Sequence, residues 1–282
     1  MTLFFQQWYG ELLKLFARKR TYIGFGVFSV LQVVILVMLK TLGFEKWMAK
    51  VIAPQTDSFE YYISALTLAF IVVKLAVFIL GGIYLTLVAG DIVAKEAEDG
   101  HLRLLLARPV SRFRLLLLKY LTASSYAVLL IFFLFFVAFL LGIAMKGPGG
   151  GFFAFAPEIN VIAFYDWLPG LQRYMLAAIT LGLGMTTISS IAFFLSCFPI
   201  KPAAATIGAL SYSLVDMILR ESRFMESYEH LLLTKHISVW ARVLAETIDW
   251  PIIARSFAVL LAVNVTLFTL GYAVFESRDL KS

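Results

Sequence analysis

Ten charged side chains fall between Ala89 and Tyr120: Asp91, Lys95, Glu96, Glu98, Asp99, Arg103, Arg108, Arg112, Arg114 and Lys119. Long apolar runs stand on either side. Acids and bases interleaved with Leu102, Leu104, Leu105 and Leu106 suit docking, with leucines to fill a pocket and charges to fix register. Gly100 should end or kink a first helix, and the residue before Pro109 is biased away from helical geometry, so the segment reads as helix, turn, helix. On residue types alone, such a stretch is a solvated loop whose charges set membrane topology.

Other candidate chemistry is sparse. Lys74 and Asp216 lie inside apolar runs, where a charge costs a few kcal/mol or more unless paired or hydrated. Lys74 would face a substrate path or an acidic partner, and Asp216 would join a polar outer rim. Gly182, Thr186 and Ser190 stand four apart, a small-residue stripe that lets helices approach closely, within the subunit by default or across a dimer seam. The three histidines, His101, His230 and His236, show no metal or acid–base spacing, and no phosphate-binding loop or nucleophile elbow occurs. The chain should therefore bind no ATP and no metal itself, and should not be an enzyme. One cysteine, Cys197, excludes an intrachain disulfide.

The elements that must position these residues are membrane helices. Of 282 residues, 61% are hydrophobic and 15% charged, and the mean hydropathy is +0.88. Soluble domains carry roughly a quarter charged residues. Six stretches reach spanning length: 22–39, 63–88, 120–145, 174–198, 203–219 and 256–275. Residues 1–20 have amphipathic spacing, which fits a helix along the membrane surface or an extension of the first span. With the N-terminus inside, thirteen of the 24 Lys and Arg lie within, ten outside, and Lys74 in a span. Both termini then come out cytoplasmic, and the net charge of +6 belongs to membrane topology rather than to nucleic acid. Outside, 146–173 reads as a Gly-rich aromatic loop folding onto the interface, and 220–255 as short helices at the surface.

The charged segment resembles the first cytoplasmic loop of permease subunits of the ABC-2 family of ABC transporters, similar to those of the multicopper-enzyme-maturation type. The features that carry the resemblance are Glu96 and Glu98, Gly100-His101-Leu102, the following leucines, Pro109-Val110-Ser111-Arg112, and Lys119 opening the next span. His101 stands where the family usually has Thr. The ending Phe275-Glu276-Ser277-Arg278-Asp279-Leu280 is similar to the family C-terminus. The resemblance implies a coupling helix at 89–119, with Glu96, Glu98, Gly100, Leu102, Arg103, Arg108, Pro109, Ser111 and Arg112 seated against a separate ATP-binding subunit that holds ATP and Mg.

The expectation is therefore an all-α, six-span membrane domain over 1–282, with an amphipathic N-terminal helix, a coupling loop, and external helices between the last two spans. Its expected setting is a prokaryotic cytoplasmic membrane. The expected function is that of an exporter permease for an unidentified substrate, with two ATP-binding subunits and a second permease copy or a related permease. Two rivals are a non-transporting anchor that docks an extracytoplasmic protein, and an ion-coupled carrier using Lys74 and Asp216.

Overall fold

Hydroxyls and turn residues at the edges of the apolar runs decide where the helices begin. The Ser64 hydroxyl accepts the Thr67 N–H and starts one helix, Ser111 does the same for Arg114, and Pro202 opens another at its first turn. The computed structural model describes residues 2–43, 46, 48, 50, 59–100, 111–159 and 161–277. Among these, α1 (Thr2–Ala17) precedes α2 (Lys19–Thr41). Then come α3 (Ala65–Glu98), α4 (Arg112–Lys146), α5 (Trp167–Ser196), α6 (Pro202–Glu221), the short α7 (Leu233–Ser238) and α8 (Trp250–Ser277). A single helical turn, Phe59–Tyr62, leads into α3.

Six helices are long and apolar enough to cross a membrane, one for each expected span. At about 1.5 Å per residue, the 34 residues of α3 and the 35 of α4 each run roughly 50 Å, against about 30 Å of hydrocarbon. Both helices therefore extend well beyond the lipid core. A π-helical stretch, Val77–Gly81, interrupts α3 just after Lys74.

Helix α5 is the centre of the bundle: 61% of its apolar window is buried, against 17% for α8 at the edge. Hydrogen bonds between helices hold the packing where the hydrophobic effect between oily surfaces is weak. The Tyr174 hydroxyl donates to the Phe135 carbonyl at 2.7 Å, buried Gln32 donates to the Leu134 carbonyl at 2.9 Å, and the Tyr120 and Ser190 hydroxyls meet at 3.0 Å. At one close crossing, a Cβ on Gly142 would stand 2.3 Å from the Ala65 carbonyl oxygen.

One expectation is corrected: the Gly-rich aromatic segment, expected as a loop, carries a two-stranded hairpin in an otherwise helical fold. Strands β1 (Phe152–Ala156) and β2 (Val161–Tyr165) pair antiparallel with Phe153 opposite Phe164. Each strand is an aromatic-rich five-residue run, too short to span, and Phe152, Phe153, Ala154, Ala156 and Ala163 are fully buried. The hairpin sits on the bundle: Phe153 N–H donates to the Thr67 hydroxyl at 2.9 Å.

The segment between α6 and α8 carries the short helices expected there, packed against the bundle. It folds as a 3-10 stretch (Arg223–Leu231), α7 and a second 3-10 stretch (Val239–Leu244). Trp240, Ala241, Val243 and Leu244 are buried. Carbonyls in and just after the second 3-10 stretch are taken by polar side chains from the hairpin and α5. Arg173 donates to Val243 and Glu246 at 3.0 Å each, and the Tyr165 hydroxyl donates to Leu244 at 2.7 Å.

Candidate functional site

The ends of α3 and α4 opposite the hairpin meet the start of α2 and the end of α8. Arg112 donates to the Glu276 carbonyl at 2.7 Å, and Phe113 packs edge-on against Phe268 and Tyr272. With Arg18 at the start of α2 reaching Glu96, four helices converge at this end of the bundle.

At that end, Lys119 of α4 is 1% exposed and is met by two carboxylates. Its Nζ donates to Glu11 Oε2 at 3.0 Å and lies 2.5 Å from Glu96 Oε2. The second approach is a close ion pair that matches the charge of Glu96. Arg18 closes the cluster on Glu96 Oε1 at 3.3 Å, and Lys14 binds Glu11 at 2.5 Å. Burial pushes the Glu11 carboxyl up, but Lys119 and Lys14 outweigh it and hold the group below its ordinary 4.5. Two carboxylates and three cations thereby join α1, α3 and α4. The remaining cavity of about 10 Å³ is at most one water in size. This is a clasp, with no room for a ligand.

The clasp fixes how α1 lies. Glu11, Leu15 and Arg18 face the bundle, while Phe5, Tyr9 and Leu13, four apart, are exposed on the far side.

Five of the nine expected coupling residues are among those described. Glu96 and Glu98 do not act as a pair: Glu96 is buried in the clasp, whereas Glu98 is exposed and bound to Lys95 at 3.0 Å. Two positions apart on a helix, they point roughly 200° from each other. Gly100 has a φ of 73°, the left-handed geometry that closes a helix C-terminus. Ser111 caps α4, and Arg112 is held on the last turn of α8. Leu102, Arg103, Arg108 and Pro109 lie outside the described residues.

The intramembrane candidates have partners within the chain. Lys74 is half-buried and its Nζ donates to the Phe155 carbonyl of β1 at 3.3 Å. Asp216 is 5% exposed and accepts the backbone N–H of Leu233 at 3.2 Å and of Thr234 at 2.7 Å, so it caps α7 from a neighbouring helix. Along the small-residue stripe, Gly182 leaves contact distance to Val128 of α4. Thr186 accepts from Asn264 of α8 at 3.4 Å, and Ser190 meets Tyr120. The stripe is a seam inside the subunit. No group of His, Cys, Asp and Glu among the described residues is arranged to hold a metal.

Sequence reasoning missed Glu11, Arg18 and the central role of Lys119. A signal was present: Lys119 directly precedes the third apolar run, and Glu11 is the one acid of the amphipathic α1.

The family described as "Protein of unknown function (DUF2705)" matches residues 55–281. An uncharacterized protein of Bacillus subtilis, YhcI, is 42% identical over 72 residues, which are 26% of this chain and 23% of that protein. The chain thus aligns with about a quarter of that relative's length.

Proposed function

The chain belongs to the DUF2705 family. We propose, from the likeness of its charged segment to an ABC-2 coupling loop, that it is the permease subunit of an ATP-driven exporter of that type. Two ATP-binding subunits would carry ATP and Mg and would seat on the connector between α3 and α4. A second permease, identical or related, would complete the assembly in a prokaryotic cytoplasmic membrane with both termini inside.

The observation that carries this reading is the clasp on two overlong helices. About ten residues of α3 beyond Val88 and eight of α4 before Tyr120 extend past the apolar runs, roughly 12–15 Å. A force applied to the connector moves both helices only if their projecting ends are rigid with respect to each other. The Glu96–Lys119–Glu11 cluster supplies that rigidity by tying the last turn of α3 to α4 at the edge of its apolar run. Lys74 and Asp216, on which an ion-coupled carrier would depend, are engaged in holding the hairpin and α7, which weighs against that rival. An anchor would make no use of a stiffened connector.

The test is a photo-crosslinking residue at Ser111 or Glu98 in the native host. Capture of a nucleotide-binding chain that hydrolyses ATP is the expected result. Normal transport and assembly with Ser111 and Glu98 crosslinked to nothing would overturn the reading.

A further inference from the structure

At the hairpin end, opposite the clasp, the segment between α6 and α8 encloses a cavity of about 720 Å³ open on one side, within the range of small-molecule and headgroup sites. Its lining is cationic. Arg220, Lys235, Arg242 and Arg255 face it against Glu221 and Glu229. Lys235 is committed to Glu229, and this hydrogen bond holds the Glu229 carboxyl below its usual range. Arg220 turns one Nη to the Thr234 carbonyl at 3.5 Å.

Arg242 and Arg255 form no ion pair among the described residues, and Arg242 Nε is a buried donor with no hydrogen-bond partner. A buried guanidinium N–H without an acceptor is destabilising, and a bound oxyanion would satisfy it.

The second wall is a single face of α8. Ile252, Arg255, Ser256 and Val259 recur at three- and four-residue intervals and all line the cavity. This face starts at the first turn of α8, beside Trp250, and descends about 10 Å from Ile252 to Val259 into the apolar helix. A cation and a hydroxyl are thus set between two aliphatic side chains.

We propose that this cavity binds a phosphate-bearing anionic group, with a phospholipid headgroup as the better-fitting source. The phosphate would lie on Arg242 and Arg255 and the acyl chains would follow Ile252 and Val259 along α8. This inference is independent of ATP coupling.

The test uses the full chain in mild detergent, with its thermal midpoint followed on titration with three probes: short-chain phosphatidylglycerol, short-chain phosphatidylcholine, and inorganic phosphate. A saturable rise with phosphatidylglycerol, weakened about ten-fold or more in Arg242→Gln/Arg255→Gln, supports the lipid source. An equal rise with inorganic phosphate, lost in the same variant, supports the site with a soluble source. No saturable rise in the wild-type chain with either anion overturns the proposal, as does the same rise in the variant. If the double variant fails to fold, Arg255→Gln alone serves, and the wild-type titrations still decide.

Discussion

Lys119 Nζ lies 2.5 Å from Glu96 Oε2, and this contact ties the last turn of α3 to the start of α4 beneath a lid formed by α1. Removing the cation leaves two carboxylates facing each other in a buried site. Breaking a buried pair from one side typically costs about 3–5 kcal/mol. Lys119→Met should lower unfolding stability in mixed micelles by that order, and Glu96→Gln/Lys119→Met should recover part of the loss. A double variant no more stable than Lys119→Met would show that the pair is not the source of the effect.

Glu11 provides the pH dependence. Its carboxyl titrates lower in the docked chain than the ordinary 4.5. Docking of α1 therefore gains stability above about pH 4.5 and loses it as the pH falls through the lower, docked value. Proteolysis of the α1–α2 junction around Arg18 should accelerate below that range in the wild-type chain. Glu11→Gln should be cleaved rapidly at neutral pH, with little further change on acidification.

The spans were legible because hydropathy is additive along a helix, and every expected run became one. What was not legible depended on pairings distant in sequence. Phe152–Ala156 and Val161–Tyr165 are aromatic runs whose strand character becomes clear only when the hairpin is seen on Thr67 and Lys74. Asp216 looks like a charge in a span until the N–H groups of Leu233 and Thr234 arrive beneath it. Glu96 and Glu98 look equivalent in sequence; helical periodicity puts one in the clasp and the other in solvent.

Close helix approach gives a steric prediction. An alanine methyl at position 142 would press on the Ala65 backbone oxygen at 2.3 Å, where no flexible side chain can yield. Gly142→Ala should destabilise by about 1–3 kcal/mol. Gly26→Ala, whose Cβ meets nothing within 4 Å, should be neutral or stabilising by up to about 1 kcal/mol. Paired thermal unfolding in detergent separates the two, and equal effects would refute the assigned α3–α4 packing.

Asp216 is the only acceptor among the described residues for the first N–H groups of α7, taking Leu233 and Thr234 with its two oxygens. Asp216→Ala leaves both donors without a partner beside an apolar helix and should cost about 1–2 kcal/mol. Asp216→Asn keeps one acceptor and should cost less. Because the cap lies at the hairpin end, hydrogen exchange should quicken at residues 233–238 in Asp216→Ala while the turns around Glu96 and Lys119 keep their protection. Faster exchange at both ends would mean that Asp216 supports the whole bundle, and unchanged exchange at 233–238 would mean that α7 is held by Trp240 and its neighbours without the cap.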